Sequence, residues 1–399
     1  MHKAISLYVV VAVLGTLLTF TAFQSRSQIT AVLLPGDATF HQMDAEQAES
    51  AQNEDEVVDQ IPQDDSEYKK LFPVQESHLS RTLVLASVTE ESTAWVEEEL
   101  GDLLQPDGPL TTAIYVSDDL YAPLHPPQNS GHEANVYLTY IIGHYDVLPD
   151  VVIFMHAHRT TWHNNDLLDQ DSALTVRNLS SRAVMSDGYA NLRCHWDPGC
   201  PDWIHPNDLD MDDFKQEQSI IANAWSEIFP DLAVPDTLAQ PCCGQFAVSR
   251  DRITSIGKAR YEYLRDWIYS SALGDYLTGR VFEYLWQYML GDEAVACPLP
   301  QDCYCNLYGV CFDSDAAYEA WVDVNQNITH IQADLDNWSE KSEYHREHCL
   351  PDALQDIPGH DDTTSRMHAA LHSRLEDLDA LSVHLARVAF DNGRRSRGL

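Results

Sequence analysis

The first half of the chain alternates short apolar runs with segments of helical periodicity. Apolar runs at residues 82–88, 111–119 and 151–158 are bounded by polar residues, which predicts three buried strands. Between them, residues 89–100 and 132–145 space their apolar side chains three or four apart, which predicts two helices. This alternation is typical of a parallel sheet with both faces covered. The pattern therefore predicts an α/β, Rossmann-like fold with a mostly parallel sheet flanked by helices.

After residue 165 helical spacing dominates. Residues 242–253 form a predicted strand that leads into a helix. Further helices are predicted over residues 211–229, 259–270 and 279–290, and peripheral ones over residues 313–345 and 365–392. We therefore expect an α/β domain over residues 80–312 and a helical C-terminal extension over residues 313–399.

Residues 5–23 form an apolar segment without a charged side chain. At 1.5 Å per residue, such a helix spans a hydrocarbon core of about 30 Å. Lys3 precedes it, and the positive-inside rule keeps residues 1–4 in the cytosol. This predicts a transmembrane signal anchor in a single-pass type II protein facing the Golgi or ER lumen; the alternative is a cleaved signal and secretion. Acidic residues 24–75 are predicted to form a disordered stalk.

The formal net charge of -39 argues against a nucleic-acid partner, because phosphate backbones bind through Lys and Arg. All nine cysteines follow residue 190, and disulfides are the expectation in an oxidising lumen. Cys194 and Cys200 bracket a short loop and are predicted to bond to each other, while the four cysteines at 297–311 are predicted to form two local bridges. A zinc site is the alternative. Glycosylation sequons are present at Asn178, Asn327 and Asn337.

Two polar groups are expected at the carboxyl edge of the predicted sheet, where open α/β folds bind ligands. Asp118 and Asp119 end the second strand, and paired carboxylates hold a divalent cation; a turn or cap is the alternative. Asn129, Gly131 and Glu133 lead into the next helix. They are predicted to place its N-terminus against a phosphate, with ordinary helix capping as the alternative.

Histidines cluster where the third strand ends. His156 and His158 share a face if the strand continues, which predicts a metal site, and His163 follows closely. Arg159 adds a cation suited to phosphate. The alternative is a surface loop whose histidines form local hydrogen bonds. Glu283 stands on an apolar helix, where burial raises a carboxyl pKa and favours a catalytic base; the alternative is a buried ion pair with Arg280 or Arg250.

Several segments resemble the signature of a mainly fungal family known as a domain of unknown function. They are NSGHEANVYLTYIIGHYDVLPDVVIFMHAHRTTWHN, GYANLRCHWDPGCP, CCGQFAVSRDRI, GRVFEYLWQYML and CYCNLYGVCF. The resemblance covers residues 80–312. It implies one N-terminal membrane segment, which members of that family often carry, and no particular activity.

A weaker resemblance is to the GT-A type of glycosyltransferase. The segments LVLASV, IYVSDD, NSG, ANVYLTYII and VVIFMHAH follow the order of that fold, with HAH where it carries a metal-binding DxD. This likeness implies a nucleotide-sugar donor, with Asp118 or Asp119 at the nucleotide. His156 or His158 would then hold the metal or the pyrophosphate.

These observations lead to glycosyl transfer onto a carbohydrate or glycoconjugate as the first hypothesis. Glu283 or His163 would deprotonate the acceptor hydroxyl, and Arg159 or a divalent metal, Mn²⁺ or Zn²⁺, would stabilise the leaving diphosphate. Two alternatives stand beside it. One is a non-catalytic carbohydrate- or protein-binding domain, and the other is a His-ligated metal-dependent hydrolase.

Overall fold

The computed structural model describes residues 78–208, 217–348 and 362–397, and within them five strands form one sheet. The strands are β1 (Arg81–Ser87), β2 (Leu110–Val116), β3 (Val151–His156), β4 (Tyr189–Asn191) and β5 (Phe246–Ser249). Their order across the sheet is β2-β1-β3-β5-β4. β1 is parallel to β2 and β3, whereas β5 is antiparallel to β3 and β4. The prediction of an α/β fold with a mostly parallel sheet is confirmed.

The central strands are continuous apolar runs because both faces of the sheet are buried. Val84 of β1 lies beside Phe154 of β3 and faces one core, while Leu83 lies beside Ile153 and faces the other. All four side chains are fully buried. Successive side chains of a strand point to opposite faces, so a strand buried on both sides carries no polar alternation.

Helices cover each face of the sheet. The Val84 face is covered by α2 (His132–His144), α5 (Gln218–Ile228), α6 (Arg250–Ile256), α7 (Lys258–Ser270), α8 (Asp275–Glu283) and α9 (Trp286–Gly291). The Leu83 face is covered by α1 (Trp95–Leu100), α3 (Ser172–Asn178), α4 (Ser181–Asp187), α10 (Pro300–Cys303), and one end each of α11 (Asp315–His348) and α12 (Asp362–Ser396). The long pair α11 and α12 corresponds to the predicted peripheral helices.

Two predicted helices are shorter than their periodicity suggests. The helix expected over residues 89–100 begins only at Trp95, because side chains bond the backbone before it: Asp118 accepts the Thr89 N–H at 2.8 Å and Glu91 accepts the Val88 N–H at 2.9 Å. The helix expected over residues 279–290 breaks after Glu283, the last residue of α8.

The predicted bond between Cys194 and Cys200 is wrong. Each pairs with a cysteine about a hundred residues away, and only one of the two bridges predicted within residues 297–311 forms. In the part of the chain that the structure describes, the disulfides are Cys194–Cys303, Cys200–Cys297, Cys242–Cys243 and Cys305–Cys311. Loop length along the chain does not determine pairing, because the geometry of a disulfide is set by where the folded backbone places the two Cβ atoms.

Several predictions fall outside the described residues: the transmembrane segment at 5–23, the stalk at 24–75 and the cysteine at position 349. Among the helices that the structure describes, none is both long enough and apolar enough to cross a membrane. Of the three sequons, Asn178 is buried in α3, so its amide is not accessible to a glycan in the folded chain. Asn327 and Asn337 are exposed on α11.

Candidate functional site

A cavity of about 520 Å³ opens beside the end of β3. Its volume falls in the range of about 300–1,000 Å³ that is usual for small-molecule sites. The wall is built by the first turn of α2, the loops after β3 and β4, the loop before β5, and α8. The lining residues are His132, Glu133, His156, Trp162, His163, Pro198, Trp203, Cys242, Cys243, Tyr276, Gly279, Arg280, Glu283 and Tyr284.

Two carboxyl side chains meet in this cavity across Gly244. A Cβ at Gly244 would stand 3.5 Å from Glu133 Oε1 and 3.8 Å from Glu283 Cγ. The φ angle of Gly244 is 63°, a left-handed conformation that residues with a Cβ rarely adopt. The turn before β5 therefore brings Glu133 of α2 and Glu283 of α8 to one point, although 150 positions separate them in the sequence.

Glu283 is a buried ionisable group in the wall. It is 8 % exposed, and its Oε1 accepts the Cys243 N–H at 2.9 Å while its Oε2 accepts a hydrogen bond from Arg280. Burial raises the pKa of Glu283 above its usual range, opposed by the charge of Arg280 and assisted by the negative charge of Glu133. Arg280 does not neutralise it fully, since the same guanidinium also donates to Glu217 at 2.6 Å. Glu283 thus shows both features that the sequence offered as alternatives, a raised pKa and an ion pair with Arg280.

The histidines of the cavity are held in different ways. His156 Nε2 donates to the Cys243 carbonyl at 2.8 Å, and its backbone N–H donates to Gln245 at 3.0 Å. The ring of His163 stands edge-on to it, with ring centroids 5.3 Å apart. Burial, followed by the nearby charges of His156 and Arg193, lowers the pKa of His163 to about 4. His163 is therefore neutral near pH 7 and able to accept or donate one hydrogen bond.

A disulfide between the adjacent residues Cys242 and Cys243 lies in the wall. Cys243 has a φ of 88°, a region that side-chain-bearing residues enter only when the surroundings hold them there. Its N–H donates to Glu283 and its carbonyl accepts from His156. One covalently fixed residue therefore connects the buried carboxyl group to the histidine.

Four of the predicted site residues come together in this cavity: Glu133, His156, His163 and Glu283. The acidic pair predicted at the end of β2 does not line it. Asp118 accepts hydrogen bonds from the N–H and hydroxyl of Thr89 at 2.8 and 2.9 Å, and Asp119 accepts the Tyr121 N–H at 2.8 Å. Both carboxylates stabilise turns, because β2 ends at Val116 and the chain bends before reaching them.

The turn before α2 positions this helix against α8. Gly131 has a φ of 78° and precedes the helix, and its N–H donates to Asp275 at the start of α8. This contact joins the two helices that carry Glu133 and Glu283. Asn129 is exposed in the same turn and does not line the cavity.

His158 and Arg159 lie beyond the end of β3 and outside the cavity. His158 Nε2 is 3.3 Å from Glu91 Oε1, and Arg159 forms ion pairs with Glu99 at 2.9 Å and Asp171 at 2.8 Å. Within the described residues no three His, Cys, Asp or Glu side chains are grouped to hold a metal ion. Metal binding at His156 and His158 stays a prediction, and the residues as placed do not fit a three-ligand Mn²⁺ or Zn²⁺ site.

Sequence reasoning missed much of the wall. It treated Arg280 only as a partner of Glu283 and passed over Tyr284, whose hydroxyl bonds Glu217, and the aromatic residues Trp162 and Tyr276. The one available signal was the adjacent pair Cys242 and Cys243 directly before a predicted strand, since two neighbouring cysteines seldom serve separate long-range bridges.

A sequence model of a family described as proteins of unknown function, DUF3431, matches residues 83–306. Comparison of the chain with curated proteins and with solved structures gave no match. The matched segment is more than half of the 399 residues, and it contains β2 to β5, all but the first two residues of β1, and every described residue of the cavity wall. The chain belongs to the DUF3431 family.

Proposed function

We propose that this cavity binds a carbohydrate and that the domain catalyses glycosyl transfer, a displacement at the anomeric carbon of a sugar. The observation that carries the proposal is the meeting of Glu133 and Glu283 in a cavity whose wall also contains the indole of Trp203 and the phenol of Tyr284. Carboxyl groups bond sugar hydroxyls and move protons at glycosidic centres. Aromatic faces pack against the apolar faces of pyranose rings.

Glu283 is the group we assign to proton transfer. In the reaction a hydroxyl oxygen of the acceptor sugar bonds the anomeric carbon, the bond from that carbon to the leaving group breaks, and the hydroxyl proton passes to the carboxylate of Glu283. A raised pKa makes the carboxylate a stronger base, and proton transfer is most effective when that pKa lies near the working pH. His163 is neutral and supplies a hydrogen bond without adding charge.

The donor proposed from the sequence is a nucleotide sugar. Its diphosphate needs positive charge, and among the described lining residues the one guanidinium, Arg280, is already bonded to Glu217 and Glu283. Arg159, to which that role was first given, is paired with carboxylates outside the cavity. Both arginines are paired with carboxylates, but only Arg280 lines the cavity, so Arg280 replaces Arg159 in the proposal. No step is routed through a metal.

A non-catalytic carbohydrate-binding domain is the second candidate. The ion pair between Arg280 and Glu283 favours it, since a buried carboxylate next to a guanidinium also serves structure alone. Both candidates bind a carbohydrate, and only the transferase also uses a nucleotide-sugar donor and needs Glu283 to take up a proton.

For the location we propose a single-pass type II protein whose domain lies in the Golgi or ER lumen, with secretion after cleavage as the alternative. Support comes from the apolar residues 5–23 and from four disulfides, which persist in oxidising compartments. Detecting residues 1–23 on the mature protein by mass spectrometry separates an anchor from a cleaved signal.

Ligand binding by the full chain tests the proposal first. We expect a shift in the melting temperature with sugars or with UDP- and GDP-sugars, measured with and without Mn²⁺. Shifts that vanish in the Glu133→Ala variant would place the ligand in this cavity. If no sugar or nucleotide sugar changed the melting temperature, both the transferase and the carbohydrate-binding domain would be contradicted.

The disulfide between Cys242 and Cys243 should matter for binding and hardly for stability. A bond between adjacent residues closes no chain loop, so we expect the C242S/C243S variant to unfold within about 1 kcal/mol of the native chain. Losing the fixed positions of the Cys243 N–H and carbonyl should weaken ligand binding about 10-fold, since two hydrogen bonds contribute about 0.5–1.5 kcal/mol each. Binding is measured by calorimetry with C305S/C311S, a bridge outside the cavity, as control. Unchanged affinity would show that the bridge does not position the site.

A further inference from the structure

The mouth of the cavity carries two large aromatic side chains that the reaction does not use. Trp162 is 56 % exposed and Tyr276 is 59 % exposed, and both belong to the cavity wall. Single exposed aromatics are common on protein surfaces. Two of them at the entrance of one cavity call for a separate explanation.

Trp162 is held in its exposed position by a buried cation. The guanidinium of Arg193 lies 5.2 Å from the centroid of the indole, and Arg193 donates to the Trp162 carbonyl at 3.1 Å and to the Asp197 carbonyl at 2.8 Å. Arg193 itself is only 8 % exposed. Burying a guanidinium costs free energy unless hydrogen bonds, nearby negative charges and ring contacts offset it. Here those contacts fix an exposed ring and its loop.

The indole is also supported from inside the cavity. The ring of His163 meets it nearly at a right angle, with centroids 4.7 Å apart. Arg193 Nη1 is 3.5 Å from Cys242 Sγ, which connects the Trp162 loop to the disulfide in the wall. Trp162 is therefore held by contacts with Arg193 and His163 although more than half of it is exposed, as suits a stacking surface.

Tyr276 is placed by the helix that carries Glu283. It lies in the first turn of α8, and its ring meets the ring of His132 edge-on at 6.3 Å. His132 Nε2 is in turn 3.4 Å from Asp275. Tyr276 is thus attached to the same two helices as the carboxyl pair, whereas Trp162 is attached to the loops around the disulfide.

We propose that Trp162 and Tyr276 form a second sugar subsite at the mouth, so that the ligand is a saccharide of two or more units. The inference rests on the proposed function and names its substrate class. One unit lies at Glu133 and Glu283, where hydroxyls find carboxyl oxygens. The next unit places the C–H face of its ring on an exposed aromatic face. A monosaccharide leaves this apolar rim in water, whereas an oligosaccharide covers it.

A length series of ligands tests the subsite. Calorimetry on the full chain uses glucose, mannose and N-acetylglucosamine, each as the monosaccharide and as its two- to four-unit oligomers. We expect the disaccharide or a longer oligomer of at least one series to bind about 10-fold more tightly than its monosaccharide. Trp162→Ala and Tyr276→Ala should each weaken the oligomer about 3- to 10-fold and leave the monosaccharide unchanged, because each removes one stacking face.

Matched variants keep this test independent of folding. Trp162→Phe retains an aromatic face and should restore most of the oligomer affinity. Trp338→Ala on α11 and Tyr121→Ala, whose side chain is 97 % exposed outside the cavity, should bind like the native chain. Equal affinity for monomer and oligomer, or equal weakening of both by Trp162→Ala, would overturn the subsite and leave the proposed function standing. No saccharide binding at all would overturn both.

Discussion

Replacing Glu283 by Gln is expected to lower glycosyl transfer by about 10²–10⁴-fold while the chain stays folded, since that is the usual contribution of a positioned general base. The amide oxygen of Gln can still accept the Cys243 N–H that Glu283 accepts at 2.9 Å. Arg280 keeps its bond to Glu217. What the variant loses is the group that takes up the proton.

The pH profile gives the same assignment a second readout. Burial raises the pKa of Glu283, so its carboxylate begins to protonate at a higher pH than an exposed glutamate. A base works only when ionised, and transfer by the native chain should therefore fall with decreasing pH through this raised pKa. The residual activity of Glu283→Gln should lack that step.

An exposed carboxylate far from the cavity serves as the control. Glu319→Gln on α11 should leave both the rate and the pH profile unchanged. If Glu283→Gln binds carbohydrate normally and shows the same rate and pH profile as the native chain, the carboxylate acts only in the ion pair with Arg280, and the non-catalytic candidate is favoured.

Removing both long-range disulfides should destabilise the domain by more than twice the effect of removing either. Cys194–Cys303 and Cys200–Cys297 span 109 and 97 residues and run side by side. When one bridge is present, the second closes only a small loop made of residues 194–200 and 297–303. Closing a loop of this size lowers the free energy of folding by about 3 kcal/mol. Without either, the unfolded chain also regains the freedom of a loop of about 100 residues, worth about 4.7 kcal/mol.

Urea unfolding of the oxidised chain measures these differences. We expect C194A/C303A and C200A/C297A each to lower the free energy of unfolding by about 3 kcal/mol, and the fourfold variant to lower it by about 8 kcal/mol or to give a chain that does not fold. The arrangement of the two bridges would be contradicted if the fourfold variant lost only the sum of the two separate losses in the free energy of unfolding. It would also be contradicted if removing one pair lowered that free energy as much as removing both.

The elements that sequence alone predicted are those fixed by local burial. Every residue is apolar from Leu83 to Leu85 in β1 and from Val151 to Met155 in β3. Such a run predicts a buried strand whichever face of the sheet each side chain takes. His156 ends β3, and Glu133 lies in the first turn of α2. Their placement at the ligand-binding edge of the sheet therefore followed from the sequence pattern.

What the sequence did not predict depends on contacts between distant segments. Cys194 finds Cys303 rather than Cys200 because the fold brings α10 against the loop after β4. Asp118 turns to Thr89 instead of the cavity because β2 is one of the edge strands of the sheet and the chain beyond it is free to bend. Local periodicity carries no information on either choice.

Product formation tests the central claim most directly. The full chain is incubated with UDP- and GDP-sugars, with and without Mn²⁺, together with the oligosaccharide that binds most tightly, and products are read by mass spectrometry. The proposal predicts an acceptor heavier by one sugar residue with the native chain and a loss of about 10²–10⁴ in rate with Glu283→Gln. An acceptor that binds in the cavity and gains no sugar from any donor, or gains it equally with both chains, would contradict it.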